Sequence, residues 1–283
     1  MNKFTFEDLK GKVCVLTGGA GVIGASLARG LASAGVKTAI VDINEEAAVK
    51  LAAQVEKESG VKCIGISANV LDKESLEAAK SVINQKLGKI DILINGAGGN
   101  SPKATTAVEQ MQKEDLTDLS KTFYGLGMEG FQRVYDLNFK GTLLPTMVFT
   151  LDMLESGKGC VLNISSMNAY RPLTKIPAYS AAKASVNNLT QWMSVHLAKV
   201  GIRVNAIAPG FFLTNQNRFL LTDEKTGEAT PRGHKIISNT PMEKYGEPED
   251  LIGAMLYLLS DISSFVTGVI IPVGGGYSAF GGV

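Results

Sequence analysis

Short apolar runs alternate with longer amphipathic segments along almost the whole of this 283-residue chain. No other feature constrains its fold as strongly. The strand candidates are 13–17 (VCVLT), 37–41, 61–67, 90–95, 159–165, 202–208 and 268–273. They are continuously apolar rather than alternating, as befits strands covered on both faces. Helical patterns lie near 23–34, 45–58, 73–87, 131–156, 178–199 and 248–260, with start signals at Asp72–Ser75 and Glu247–Glu249. This order predicts an α/β fold, a doubly wound and mostly parallel sheet of about seven strands with helices on both faces. No linker or internal repeat divides the chain, so one domain is expected over 1–283. Two polar inserts, 99–129 and 210–241, break the alternation. Both follow the C-terminal ends of strands, where open α/β sheets bind ligands, and they are expected to form the substrate side.

Composition excludes several function classes. With 28 Lys+Arg against 27 Asp+Glu the formal net charge is +1, which provides no field for nucleic acid or an anionic membrane. No apolar stretch approaches the roughly 18 residues of a membrane span, and MNKFTFEDLKGK lacks the apolar run of a secretory leader. Cys14, Cys63 and Cys160 form no CxxC pair, and His196 and His234 lie far apart, so no metal site is expected. Buried thiols in a reduced, cytoplasmic protein are the simpler expectation. The 31 glycines are an excess that needs a cause.

One cause is the run Thr17-Gly18-Gly19-Ala20-Gly21-Val22-Ile23-Gly24, between the first strand and its helix. Glycines there let backbone approach a pyrophosphate, with Gly18, Gly21, Val22, Ile23 and Gly24 as contacts at the helix N-terminus. A tight turn with close helix packing is the plainer alternative. Asp42, followed by Ile43, ends the second strand. Its carboxylate suits ribose hydroxyls and repels a 2′-phosphate, and no Arg follows it, which favours NAD over NADP. Its other reading is a helix N-cap.

Tyr179 and Lys183 stand at i and i+4 at the start of a helix. An ammonium one turn from a phenol is expected to lower its pKa and make it a general acid/base for a carbonyl or alcohol oxygen. Ser166, at the end of the fifth strand, has a hydroxyl suited to holding that oxygen.

These pieces together resemble the short-chain dehydrogenase/reductase family, whose fold is a single Rossmann-type domain. The likeness extends to Asn69-Val70, NGAG at 95–98, Asn138 in DLNFKG, NISS at 163–166, YSAAK at 179–183, PGFFLT at 209–214 and FVTG at 265–268. It implies a tetrad of Asn138, Ser166, Tyr179 and Lys183. Tyr179 would exchange the proton, Ser166 orient the substrate oxygen, Lys183 hold the nicotinamide ribose, and Asn138 position a relay water. It also implies nicotinamide-side contacts at Pro209, Gly210, Phe212 and Thr214, adenine-side contacts at Asn69 and Val70, and close approach at Asn95, Gly96, Ala97 and Gly98. The chain departs from the family pattern in placing Gly21 before Val22, Asn69 for an aspartate, NGAG for NNAG and GGG at 274–276 for DGG.

Within that family the runs AGGNSPKATT, SSMNAYRPLTKIPAYSAAK, APGFFLTNQNR and FVTGVIIPVGGGYSAFGGV are similar to D-mannonate oxidoreductases (fructuronate reductases). The resemblance implies an NAD-dependent enzyme that interconverts a hexonate secondary alcohol and its keto form. Gluconate or polyol dehydrogenases, a 3-oxoacyl reductase and a non-enzymatic dinucleotide sensor are the alternatives. A sugar acid needs a cation for its carboxylate and amides for its hydroxyls. Lys103, Arg171, Lys175 and Arg218 are candidates for the first, Arg171 and Arg218 above the lysines because a guanidinium binds a carboxylate bidentately. Asn100, Asn168, Asn215 and Gln216 are candidates for the second. The 178–199 helix carries apolar residues on more than one face, and the resemblance implies a homotetramer or homodimer built through it. The apolar tail at 274–283 is expected at a subunit interface.

Overall fold

The first strand, β1 (Val13–Thr17), is buried along its whole length, and the sheet grows outward from it on both sides. β2 (Lys37–Asp42) and β3 (Cys63–Ser67) lie to one side; β4 (Ile92–Asn95), β5 (Gly159–Ile164), β6 (Ile202–Pro209) and β7 (Ile270–Val273) lie to the other. The order β3-β2-β1-β4-β5-β6-β7 is parallel throughout. This computed structural model describes residues 5–213, 221–223 and 227–282. Strand order reverses between β1 and β4, which opens a crevice at the C-terminal ends of the strands. The architecture is a single Rossmann-type domain, as expected.

Parallel strands require crossovers, and helices provide them. α1 (Val22–Ser33), α2 (Glu45–Ser59), α3 (Lys73–Lys86), α4 (Met128–Phe149), α5 (Leu151–Ser156), α6 (Pro177–His196), α7 (Pro231–Ser238) and α8 (Asp250–Leu259) are the α-helices bounded by described residues. On one face Leu27, Leu31, Val55 and Met255 pack on Leu16, Ile40 and Ile94. On the other Leu76, Ile83, Phe149 and Met193 pack on Val15, Val41 and Leu93. Val15 and Leu16 thus serve opposite cores, a consequence of the two-residue period of a strand.

Local signals set most boundaries. The Asn44 side chain accepts the Ala47 N–H at 3.0 Å and caps α2, which ends at Gly60 with φ 71°. Asp72 accepts the Ser75 N–H at 3.1 Å and caps α3. Glu249 precedes α8 without capping it by its side chain, and its carboxylate accepts the Ser26 hydroxyl at 3.0 Å instead. The helix expected over 131–156 is two, α4 and α5, which meet at Thr150. Thr142, Thr146 and Thr150 each donate to the carbonyl four residues back, a pattern that bends helices.

The first insert is a chain of 3-10 turns at 102–104, 113–117, 119–121 and 123–125. Side chains of Ser101, Asp118 and Thr122 cap three of them. The second insert contains α7 and a bridge from Phe212 to Gly246. Thr214, Asn215, Gln216 and Arg218 lie outside the described residues. The tail folds back on its own chain: the Arg171 Nε–H donates to the Ser278 carbonyl at 2.9 Å, and the Tyr277 ring meets Phe211 edge-on at 5.0 Å. These contacts hold the tail against its own chain.

Candidate active site

The glycine turn is built by close approach. Gly18 has φ 63°, and a Cβ there would lie 2.6 Å from the Ala97 Cα. A Cβ on Gly24 would lie 2.6 Å from the Gly19 carbonyl oxygen, so the turn closes on itself. Gly21 is the N-cap of α1 with φ −71°, a value open to any residue. Its displacement from the family pattern therefore carries no backbone strain. The first-turn N–H groups of Val22, Ile23 and Gly24 have no intrahelical acceptor, and no acidic residue sits in that turn to neutralise the helix dipole. These residues line a cavity of about 370 Å³ together with Gly96, Gly98, Ser166, Tyr179, Lys183, Pro209, Gly210 and Phe212. A larger hollow, about 930 Å³ between Lys12, Asp91, Arg203 and Phe265, brings together no such set of groups.

Asp42 ties the end of β2 to this turn. One carboxylate oxygen accepts the Ala20 N–H at 3.2 Å and the other accepts the Asn44 N–H at 3.1 Å. Because Asn44 caps α2, the reading of Asp42 as that cap falls. Ile43 stands 75% exposed beside it. The Asn69 side-chain oxygen accepts the Leu71 N–H at 3.0 Å and closes a local turn. Val70 is buried, and its side chain lies 3.0 Å from where a Cβ on Gly141 would be. Neither lines the 370 Å³ cavity.

The Asn95 amide is engaged beneath the site through its NH₂, while its Oδ1 has no partner. Its side-chain NH₂ donates to Thr146 Oγ1 and to Asn163 Oδ1, both at 2.9 Å, and Asn163 Nδ2 donates to Thr190 Oγ1 at 2.8 Å. This buried ladder locks β4 and β5 to α4 and α6 directly beneath the site.

At the catalytic end Lys183 is buried and donates from Nζ to the Ile164 carbonyl at 2.7 Å. Its Nζ lies 5.6 Å from the centre of the Tyr179 ring. Desolvation lowers the Lys183 pKa to about 8. The phenol departs from expectation: burial pushes Tyr179 up, and the lowering influence is the neighbouring Ser166 hydroxyl. Loss of solvent around the phenolate outweighs the hydrogen bond from Ser166. Asn138 stitches α4 to the turn after β4, accepting the Gly99 N–H at 3.2 Å and donating to the carbonyls of Gly99 (2.7 Å) and Val134 (2.8 Å). Gly98 is required beside it, since a Cβ there would lie 2.6 Å from Asn138 Oδ1 and 3.2 Å from Lys183 Nζ.

The substrate-side candidates separate. Asn168 is buried beside Ser166, donating its backbone N–H to the serine hydroxyl at 3.2 Å, and its Oδ1 has no partner. Asn100 is exposed and donates to Thr105 Oγ1 at 3.0 Å. Lys103 is exposed in the first turn of the insert, and Arg171 holds the tail. Neither these three nor Asn168 lines the cavity. Phe211, which does line it, also borders a second hollow of about 250 Å³ with Lys175, Arg232 and Lys235. Sequence reasoning passed over Phe211, Arg232 and Lys235. The signal available was the basic run Pro-Arg-Gly-His-Lys at 231–235, late in an insert already assigned to the substrate side.

Comparisons with known proteins agree with this geometry. A family model described as enoyl-(acyl carrier protein) reductase matches residues 18–278. An uncharacterised oxidoreductase of Haemophilus influenzae is 48% identical over 284 residues, covering 100% of this chain and 99% of its own. UxuB of Bacillus subtilis, likewise named an uncharacterised oxidoreductase, is 47% identical over 278 residues and 98% of each chain. A crystal structure of a candidate D-mannonate oxidoreductase from Haemophilus influenzae, with NAD bound, superposes with a TM-score of 0.92 at 48% identity over 98% of each chain.

Proposed function

The chain belongs to the short-chain dehydrogenase/reductase family and is an oxidoreductase acting on CH–OH donors; from this premise we propose that it uses NAD to interconvert D-mannonate and D-fructuronate. The observation that carries the proposal is the convergence of Ser166, Tyr179 and Lys183 on a cavity floored by the glycine turn. The turn fits a dinucleotide: its glycines leave the space a Cβ would fill, and the first N–H groups of α1 face the pyrophosphate position. Asp42 at the end of β2 supports NAD over NADP, because a 2′-phosphate would meet its carboxylate. The bound NAD of the Haemophilus structure supports the same choice, and that protein's name supports the sugar acid.

A dinucleotide held by the glycine turn would supply the hydride acceptor for the alcohol carbon, or the donor for the ketone. The rest falls to side chains. In the oxidation direction Tyr179 takes the proton from the substrate hydroxyl, and in reduction it gives one back. Ser166 holds the substrate oxygen against Tyr179 and stabilises the phenolate. Lys183 places a positive charge near the ring, and Asn138 holds the strand-four turn in place through Gly99.

We further propose a homotetramer or homodimer in the cytoplasm. Trp192 (58% exposed) and Val195 (79%) on α6 support a pairing face, and no helix among the described residues is long and apolar enough to cross a membrane. The test is a panel of hexonates, hexuronates, polyols and ketoacyl thioesters with NADH, NAD and their phosphorylated forms, together with light scattering for mass. Turnover confined to polyols or thioesters would replace the sugar acid, and cofactor binding without any turnover would point to a sensor.

A further inference from the structure

The 250 Å³ hollow that shares Phe211 with the catalytic cavity has a strongly one-sided wall. Lys175, Arg232 and Lys235 border it, against a single acidic residue, Glu109. Glu109 pairs with Lys235. Among the described residues neither Lys175 nor Arg232 forms an ion pair, so two positive charges remain uncompensated at one small opening. In a chain of net charge +1 this local excess is not a reflection of overall composition.

Two features run against the ordinary preferences of the chain at these positions. Lys175 is one of two non-glycine residues with positive φ among the described residues, at 74°. Its carbonyl accepts the Thr106 N–H at 2.9 Å, so the first insert holds it in that conformation. A side chain kept at such a position, where glycine would be easier, points to use of the side chain. Arg232 sits in the first turn of α7, where the dipole disfavours a cation and where no acidic residue occurs. The arrangement adds an arginine to the positive end of a helix, as an anion site requires and a stability-driven sequence avoids. Lys235 chiefly, with smaller contributions from Lys175 and Arg232, holds the Glu109 carboxyl below its usual range.

We propose that this hollow is the subsite for the carboxylate of the substrate, with Arg232 as its principal ligand and Lys175 as the second cation. The inference rests on the sugar-acid reading and supplies a cation for the role expected of Arg171, which is tied to the tail, or of Arg218, which lies outside the described residues. Phe211 and Tyr277 then form the apolar wall between the carboxylate end and the reacting carbon. The enzyme would distinguish acids from neutral polyols here, at a place contributed by the second insert, and the tetrad would be common to both.

The test is calorimetric binding of a hexonate and of the corresponding hexitol to the protein with NADH present, so that the alcohol ligands do not react. Arg232→Gln is expected to weaken hexonate binding by about 10-fold or more, the worth of a charge-assisted contact, and to leave hexitol binding within about twofold. Lys175→Asn, which suits the left-handed backbone, is expected to act in the same direction. Lys62→Gln, removing a cation far from the hollow, serves as the charge control and is expected to alter neither. Equal weakening of hexonate and hexitol, or no change in either variant, overturns the subsite. A wild-type protein that binds the hexitol and not the hexonate overturns the sugar-acid reading itself, a distinct result.

Discussion

Replacing Lys183 with methionine is expected to stabilise the ligand-free protein while removing its activity. Burial moves the Lys183 pKa from 10.5 to about 8, and at about 1.36 kcal/mol per pH unit the charged lysine costs the folded state about 3 kcal/mol. Methionine fills the same channel without charge. Against that gain stands the bond from Nζ to the Ile164 carbonyl at 2.7 Å, whose loss is worth about 1–2 kcal/mol. The balance is about 1–2 kcal/mol in favour of the variant at pH 7, or about 2–4 °C in Tm for a chain of this size. The sign with pH follows from linkage. Below pH 8 the lysine is charged in both folded and unfolded chains, and the full penalty applies. Between about 8 and 10.5 the unfolded chain binds more protons, so the wild type gains stability as pH rises and the gap to the variant closes. Parallel melts of the two proteins from pH 7 to 10 measure this directly. A variant less stable than wild type at pH 7, or a gap that does not narrow with pH, would refute the desolvation argument.

Gly18→Ala forces a Cβ against the Ala97 backbone at a left-handed φ and is expected to weaken NADH binding at least about 10-fold by fluorescence titration; retained affinity would remove the turn from the cofactor bed. For Asp42→Ala, the preference for NAD over NADP in kcat/KM is expected to fall by about 10- to 100-fold, and an unchanged ratio would mean that Asp42 only braces the Ala20 N–H. Tyr179→Phe is expected to lower kcat by about 10² to 10⁴ with NADH binding intact; near-normal turnover would assign the proton to another group. Asn95→Ala breaks the buried amide ladder and is expected to cost about 1–3 kcal/mol in thermal or urea unfolding with KM nearly unchanged. A large rise in the KM for NAD, with stability unaltered, would return Asn95 to the cofactor.

Much of this protein was legible without coordinates because the relevant signals are local. β1 occupies the run expected for it, since continuous β-branched and apolar residues allow only a strand covered on both faces. Gly18 announces a backbone turn through its chemistry, and the spacing of Tyr179 and Lys183 places them on one helical face. Asp72 caps its helix as its type and position predict. The split of α4 from α5 was hidden because apolar periodicity continues across Thr150, where the backbone leaves helical geometry with ψ −6°.

The sequence by itself determined the layered sheet, the place of the glycine turn and the pairing of Tyr179 with Lys183 on one helix. These depend on steric and periodic rules that act over a few residues. Tertiary structure alone decided how those groups behave together. Asn95 and Asn163, 68 residues apart, became a structural ladder because adjacent parallel strands bring them level beneath the crevice. The phenol of Tyr179 rose rather than fell because burial is a property of everything packed around it. Arg171 was drawn to the tail by the Ser278 carbonyl, 107 residues on, while Lys175 and Arg232 from separate segments came to border one hollow. Charge and desolvation act through space, and that space exists only once the chain has folded.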